Sequence, residues 1–168
     1  YTSDGTSQVW SISLNATQLR RDASNNIYVM YSSGLRKYSS GGGLIWTISL
    51  PNIAGFAVNP VNGDVYVSDK TVIKKYNSSA SLLGTYSITN VSYMDMDDVG
   101  NIYANRSSYL SRIDSSTMTI IDSIEDEVHD TGYFGRVDIY NDCLCSHVEV
   151  SGKIYGYPIV FLIRQKSV

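Results

Sequence analysis

Two cysteines, two histidines and a charged fraction of 17% set the first limits on this 168-residue chain. Cys143 and Cys145 are too few for a disulfide framework. Besides having only His129 and His147, the sequence carries no Gly-x-Ser-x-Gly, His-Glu-x-x-His, phosphate loop or dinucleotide fingerprint. A net charge of −3 supplies no field that would recruit nucleic acid or an anionic membrane. No apolar run is long enough for a transmembrane helix, and no long window shows the 3.6-residue apolar period. Neither an initiator Met nor a signal-peptide hydrophobic region stands at Tyr1, so a processed or excised chain is expected. Ala and Glu are scarce. What is abundant is Tyr, at 14 copies, with Ser, Thr, Asn and Gly, a profile that favours strands and turns. The length suits one domain with a core of its own.

Order comes from repetition. Gly63-Asp64-Val65-Tyr66-Val67-Ser68-Asp69 has near-copies in Asn25-Asn26-Ile27-Tyr28-Val29 and Gly100-Asn101-Ile102-Tyr103-Ala104. A polar pair followed by a β-branched and aromatic run reads as a tight turn entering a strand. Tyr28, Tyr66 and Tyr103 recur at the period of small stacked β-units. Each unit is expected to hold four short strands, over 16–51, 52–90 and 91–127. Leu35-Arg36-Lys37-Tyr38 is echoed by Ile73-Lys74-Lys75-Tyr76 and loosely by Leu110-Ser111-Arg112-Ile113. Asp22, Asn59 and Asp97 precede the second strands, where an Asx side chain caps a turn. Those second strands have little alternation, as when both faces are covered. The fourth strands alternate around Trp46, as when one face is wet.

Residues 128–168 read as a divergent fourth unit with three strands. The missing outer strand has a candidate at the other end of the chain. Val9-Trp10-Ser11-Ile12-Ser13-Leu14 matches Ile45-Trp46-Thr47-Ile48-Ser49-Leu50 almost residue for residue. Residues 1–15 are therefore expected to close a ring of sheets, with Val9, Trp10, Ile12 and Leu14 in the closing strand, which removes exposed sheet edges. The same strand could be donated to a neighbouring subunit, as far as building a filament.

The phrase "Asp/Asn, turn, Asn/Asp-Ile/Val-Tyr-Val … Leu/Ile-Arg/Lys-Lys-Tyr … Leu-Ile-Trp" resembles NHL and SBBP-type β-propeller repeats, well in three units and poorly in the fourth. The resemblance implies an all-β fold, a small β-propeller of about four four-stranded blades, or a segment of a larger propeller. It implies little about activity.

Several side-chain groups invite a chemical reading. Cys143, Cys145 and His147 share one face of a predicted strand, but same-face residues lie about 6.5–7 Å apart, awkward for one zinc. Buried free thiols are preferred, with a Cys143–Cys145 or intersubunit disulfide as alternative. The acidic run Asp122 to Asp130 lacks any fixed calcium spacing and reads as a solvated loop. Asp95, Asp97 and Asp98 could line an axial channel, or simply cap a turn. Arg20-Arg21, Arg36-Lys37 and Lys74-Lys75 are expected on wet strand faces, snorkelling over apolar surface. Sequons at Asn15, Asn77, Asn90 and Asn105 fall in or beside predicted loops and are candidate glycosylation sites.

The expectation is a non-catalytic structural or adhesion module on an extracellular or virion surface, acting through protein partners or self-association. No cofactor, metal, nucleic acid or membrane insertion is expected. A lectin-like, glycan-binding propeller is the alternative, and a hydrolase using axial acids such as Asp97 or Asp138 a more distant one.

Overall fold

The computed structural model describes residues 10–107, 109–125, 137–140, 143–150 and 153–159, with side chains described up to residue 124. These residues form 15 strands in four antiparallel sheets. Sheet 1 is β1 (Ala16–Arg21), β2 (Ile27–Tyr31), β3 (Gly34–Tyr38) and β4 (Leu44–Ser49). Sheet 2 is β5 (Gly55–Val58), β6 (Val65–Ser68), β7 (Ile73–Tyr76) and β8 (Leu82–Tyr86). Sheet 3 is β9 (Val91–Met96), β10 (Asn101–Arg106), β11 (Tyr109–Asp114) and β12 (Thr119–Glu125). Sheet 4 holds β13 (Val137–Tyr140), β14 (Cys143–Val150) and β15 (Lys153–Ile159).

Within each sheet every strand pairs with its sequence neighbour, so each is a simple meander. First strands form an inner row: β1 packs on β5, β5 on β9, and β9 on β13. That stacking of meanders side by side around their first strands is propeller architecture.

The repeated sequence explains the local geometry. β6 is buried along its whole length and β2 nearly so, because each is the second strand of its sheet and has neighbours on both faces. β4 and β8 are exposed at most positions, as outer strands are. Gly63 takes a left-handed turn (φ 74°), and a Cβ there would meet the Tyr28 hydroxyl at 3.2 Å, so the turn of sheet 2 can touch sheet 1. Gly55 does the same service one junction on, where a Cβ would collide with the Ser92 carbonyl of β9.

Two apolar clusters fill the junctions between sheets. Tyr28, Leu35 and Ile48 of sheet 1 meet Phe56, Val65 and Val67 of sheet 2. Ala57, Tyr66 and Ile73 of sheet 2 meet Met94, Ile102 and Ile113 of sheet 3. Burying such side chains contributes about 1.5–3 kcal/mol each. The core is therefore a series of inter-sheet slabs.

Two expectations change here. Residues 10–15 lie outside any ladder, and Val9 is outside the described residues. Asn105 lies within β10 and is buried, because the β9–β10–β11 pairing continues through it. A glycan there would have to leave the sheet. Asn15 and Asn90 are exposed, while Asn77 is partly buried at the β7–β8 turn, where its side-chain oxygen accepts the Ser79 and Ser81 amides.

Candidate binding surface

A polar network is built at the same place in each complete sheet. In sheet 1, Asp22 Oδ1 accepts the backbone amides of Ser24 (3.0 Å) and Asn26 (2.9 Å), while Oδ2 accepts Asn26 Nδ2 (2.9 Å) and the Tyr28 hydroxyl (3.0 Å). Lys37 Nζ lies 3.4 Å from Oδ2 and 4.9 Å from the Tyr28 ring centroid. Burial pushes the Asp22 carboxyl upward, but the donors from Asn26 and Tyr28, with the Lys37 charge, win and hold it below its ordinary value. Burial and the Asp22 carboxylate both push the Tyr28 phenol up, so it stays a donor.

Sheet 2 reaches the same balance with the acid and the amide exchanged. Asn59 caps the turn through the Val61 and Asn62 amides (2.9 and 3.2 Å), and the carboxylate is now Asp64, 3.7 Å from Lys75 Nζ. Tyr66 and Lys75 both donate to the Ser115 carbonyl of sheet 3, at 3.3 and 3.4 Å. In sheet 3 the acid returns to the cap: Asp97 accepts the Asn101 amide and side chain, each at 2.7 Å, and the Tyr103 hydroxyl at 3.3 Å. The third-strand cation there, Arg112, turns to Asp122 on β12 at 2.8 Å.

These contacts correct the expected wet-face cations. Lys37 is buried and Lys75 largely so, because each reaches a carboxylate and the next sheet's turn. Arg36 lies over the Tyr31 ring at 4.8 Å, Arg20 reaches Asp95 (3.0 Å) and the Met94 carbonyl (3.1 Å), and Arg21 donates to Asn25. Arg20 thus ties the inner strand of sheet 1 to that of sheet 3. Asp95 serves this ion pair and Asp97 its turn, Asp98 is exposed in that turn, and the side chain of Asp138 is outside the described residues. So are those of Cys143, Cys145 and His147, and so are residues 126–130 of the acidic run. Among the described residues no group of three or more His, Cys, Asp or Glu could hold a metal ion.

The networks of sheets 1 and 2 are largely internal, and the exposed apolar surface lies elsewhere. Each complete sheet opens its fourth strand at or near an exposed apolar pair: Leu44-Ile45, Leu82-Leu83 and Ile120-Ile121, all 41–56% exposed. They occupy equivalent positions and make an apolar row along the outer rim. Sequence reading treated these strands as wet-faced, but the pair offers one apolar residue to each face of the strand. The signal was legible as the repeated dipeptide.

A second surface is a cleft of about 460 Å³ between sheets 2 and 3, lined by Asn52, Asp69, Lys70, Ser92 and Tyr93 among others. Asn52 and Lys70 are both left-handed (φ 61° and 74°), an uncommon conformation for residues with a Cβ. Asp69 holds its loop through Thr71 and Val72, and the Thr71 hydrogen bonds keep its carboxyl below its ordinary value. Tyr93 is 37% exposed.

The repeat-defining residues are structural. Tyr28 and Tyr66 lie in the junctions between sheets, Tyr103 bonds Asp97 within sheet 3, and Trp46 packs edge-on to Tyr28 with ring centroids 5.7 Å apart. Trp46 Nε1 donates to the Ser78 carbonyl of sheet 2 at 3.0 Å.

No family model and no curated protein matches the chain. Solved structures do. The Neurospora crassa Pan2 WD40 domain superposes with a TM-score of 0.65 at 13% identity, over 85% of this chain and 46% of that one. Kuenenia stuttgartiensis hydrazine synthase gives 0.69 at 12% identity, over 90% and 47%. Virginiamycin B lyase from Staphylococcus aureus gives 0.62 at 15% identity, over 86% and 56%. The fold is a β-propeller. This chain spans about half the length of these similar structures. Among the described residues no helix is long and apolar enough to cross a membrane.

Proposed function

We propose that this propeller is a non-catalytic structural or adhesion module of an extracellular or virion-associated assembly, and that it works through protein contacts along its outer rim. The observation that carries this reading is the row of apolar pairs at residues 44–45, 82–83 and 120–121. Exposed apolar side chains on outer strands favour burial against another protein surface. The turn acids Asp22 and Asp97 and the third-strand cations Lys37 and Lys75, by contrast, are engaged in networks within and between the sheets. Within the propellers, the NHL and SBBP-type repeats are the group whose Ile/Val-Tyr-Val and Lys-Tyr phrases these units share.

A photo-crosslinking residue placed at Leu82, compared with one at exposed Ser79, tests the rim in the native source assembly. A reproducible protein adduct from position 82 alone is expected. Equal labelling from both positions, or none from either, would count against the rim.

A second reading rests on the cleft. Tyr93 with Asn52, Asp69 and Lys70 offers a ring face and polar groups of the kind that bind a hydroxylated ring. Glycan-array binding lost on Tyr93→Ala would favour this lectin-like role; silence across neutral and acidic sugars would dismiss it.

A further inference from the structure

The turn between the first and second strands carries a left-handed residue at the same place in each complete sheet. It stands three residues before the repeat tyrosine: Asn25 (φ 61°), Gly63 (φ 74°) and Gly100 (φ 93°). The residue ahead of it is Ser24 in sheet 1, Asn62 in sheet 2 and Val99 in sheet 3. Only sheet 2 sets a side-chain amide directly before a glycine there, and Asn62-Gly63 is the one Asn-Gly step in the sequence. Every other asparagine is followed by a residue whose side chain crowds ring closure onto its nitrogen, and Asn59 faces Pro60, whose nitrogen has no proton to lose.

Asn62 is exposed, and its side chain folds back over the peptide that would attack it. Oδ1 accepts the Asp64 amide at 2.9 Å, an Asx turn whose hydrogen-bonded ring contains both Asn62 Cγ and the Gly63 nitrogen. Nδ2 donates to Asp64 Oδ2 at 3.3 Å. At Gly63 no side chain stands beside the reacting atoms. The Gly63 amide donates to the Asn59 carbonyl at 2.9 Å, so the attack gives up one backbone bond of the turn.

We propose that Asn62 is a site of self-modification, converted through a cyclic imide to aspartate or isoaspartate, and that the product loosens the turn joining sheet 2 to sheet 1. The Gly63 nitrogen loses its proton and bonds to Asn62 Cγ; the bond from Cγ to Nδ2 breaks, and the amide nitrogen leaves as ammonia. Water then adds to either carbonyl of the succinimide. Opening on one side restores the ordinary chain with an aspartate, and opening on the other leaves the chain running through the side chain. Either product replaces the Nδ2 donor with a second carboxylate beside Asp64, whose cation, Lys75, stands 3.7 Å away. Like charges so placed repel. Isoaspartate also lengthens the backbone of a turn with close contacts to sheet 1. The Pro60 carbonyl accepts the Ala23 amide at 2.9 Å, and a Cβ at Gly63 would meet the Tyr28 hydroxyl at 3.2 Å. Nothing in this chemistry depends on what the rim or the cleft binds.

The full chain, held folded in mildly alkaline buffer, is sampled over time, digested and read by mass spectrometry, with isoaspartate identified by isoaspartyl methyltransferase labelling. Conversion at residue 62 several-fold faster than at Asn77-Ser78 is expected, and faster again as pH rises, because the attacking nitrogen must lose a proton. Conversion at residue 62 no faster than at residue 77, or arrested in the folded chain while it proceeds in urea, overturns the proposal, since the turn would then protect the amide. Asn62→Gln cannot close the same five-membered ring and is expected to stay unmodified at this position. Thermal midpoints read the consequence: aged wild type should melt below the fresh protein, and aged Asn62→Gln together with its own fresh sample. Equal midpoints for fresh and fully converted wild type overturn the loosening.

Discussion

The same third-strand position holds Lys37 in sheet 1 and Arg112 in sheet 3, and the two cations live in different surroundings. Lys37 and its partner Asp22 are 8% and 7% exposed, and the ammonium also rests against the Tyr28 ring. Arg112 and Asp122 are 28% and 46% exposed, on adjacent strands of one sheet. Lys75 is intermediate, at 17% and 15% with Asp64. What separates them is where the partner acid stands. In sheet 1 it is the turn cap itself, inside the junction; in sheet 3 the cap, Asp97, is satisfied by Asn101 and Tyr103, and the cation pairs outward. Burial turns an ion pair from a minor surface contact into a constraint, because either charge left alone inside cannot be solvated.

Lys37→Ala is thus expected to have the largest effect, about 3–5 kcal/mol in denaturant unfolding, since it leaves the buried Asp22 carboxylate its hydrogen-bond donors but takes away its cation. The double change Asp22→Asn with Lys37→Met removes both charges and is expected to recover most of that loss. A double variant no better than Lys37→Ala would mean that the lysine stem, and not its charge, holds the junction.

Acid sharpens the same point. The folded Asp22 carboxyl lies below its ordinary value, so its stabilising contribution is present above about pH 3.9 and is lost as pH falls through the folded value. Asp69 and Asp114 are shifted the same way, Asp114 to about 2, by hydrogen bonds within their own turns. Unfolding midpoints measured from pH 5 to pH 2 should fall for the wild type and fall less steeply for Asp22→Asn. Parallel slopes would place the acid sensitivity in the other carboxylates.

Much of the architecture was legible because it is local. The turn-then-strand phrase around Tyr28, Tyr66 and Tyr103, the Asx caps and the bare outer strands follow from residue-level preferences that repeat, and three sheets stand where the three copies are. The cations were misread for a physical reason. In Arg36-Lys37 and Lys74-Lys75 alternation places the two residues on opposite faces, and which face is wet depends on the next sheet, which no local pattern encodes. Asn105 was expected at a strand end beside a loop, and it stands one residue from the end of β10; its burial, which comes from the strands on either side, is what the sequon does not reveal. The contact of Trp10, whose indole NH donates to the Ser40 carbonyl at 2.8 Å as that of Trp46 does to Ser78, was half legible. Its sequence matched Trp46, but only the shared indole-to-carbonyl geometry shows that it serves the sheet following it.

Lys75→Ala is expected to cost less than Lys37→Ala, about 1–3 kcal/mol, because Lys75 and Asp64 are more exposed than Lys37 and Asp22, so water can take up part of the lost interaction. Its signature is at the opposite end of the pH scale. Burial pulls the Lys75 ammonium down, but Tyr66 and Asp64 outweigh it and raise the group above its ordinary value. That contribution is fully present below about pH 10.4 and is lost as pH rises through the folded value. Alkaline midpoints that are the same for wild type and Lys75→Ala would sever the link between this lysine and the Ser115 turn.

Arg112→Ala closes the series with the smallest change, about 0–1 kcal/mol, since both partners reach water and salt screens them. Its hydrogen bonds to Asp122, at 2.8 and 3.3 Å, are well formed, so geometry alone would rank it with Lys37. Solvent access is what demotes it. The test is a double-mutant cycle with Asp122→Ala at low and high salt, where a small coupling that shrinks with salt is expected. A coupling as large as that between Asp22 and Lys37, and indifferent to salt, would mean that sheet 3 is covered on that side by something that sheet 1 lacks, and the gradient from buried to exposed cation would have to be redrawn.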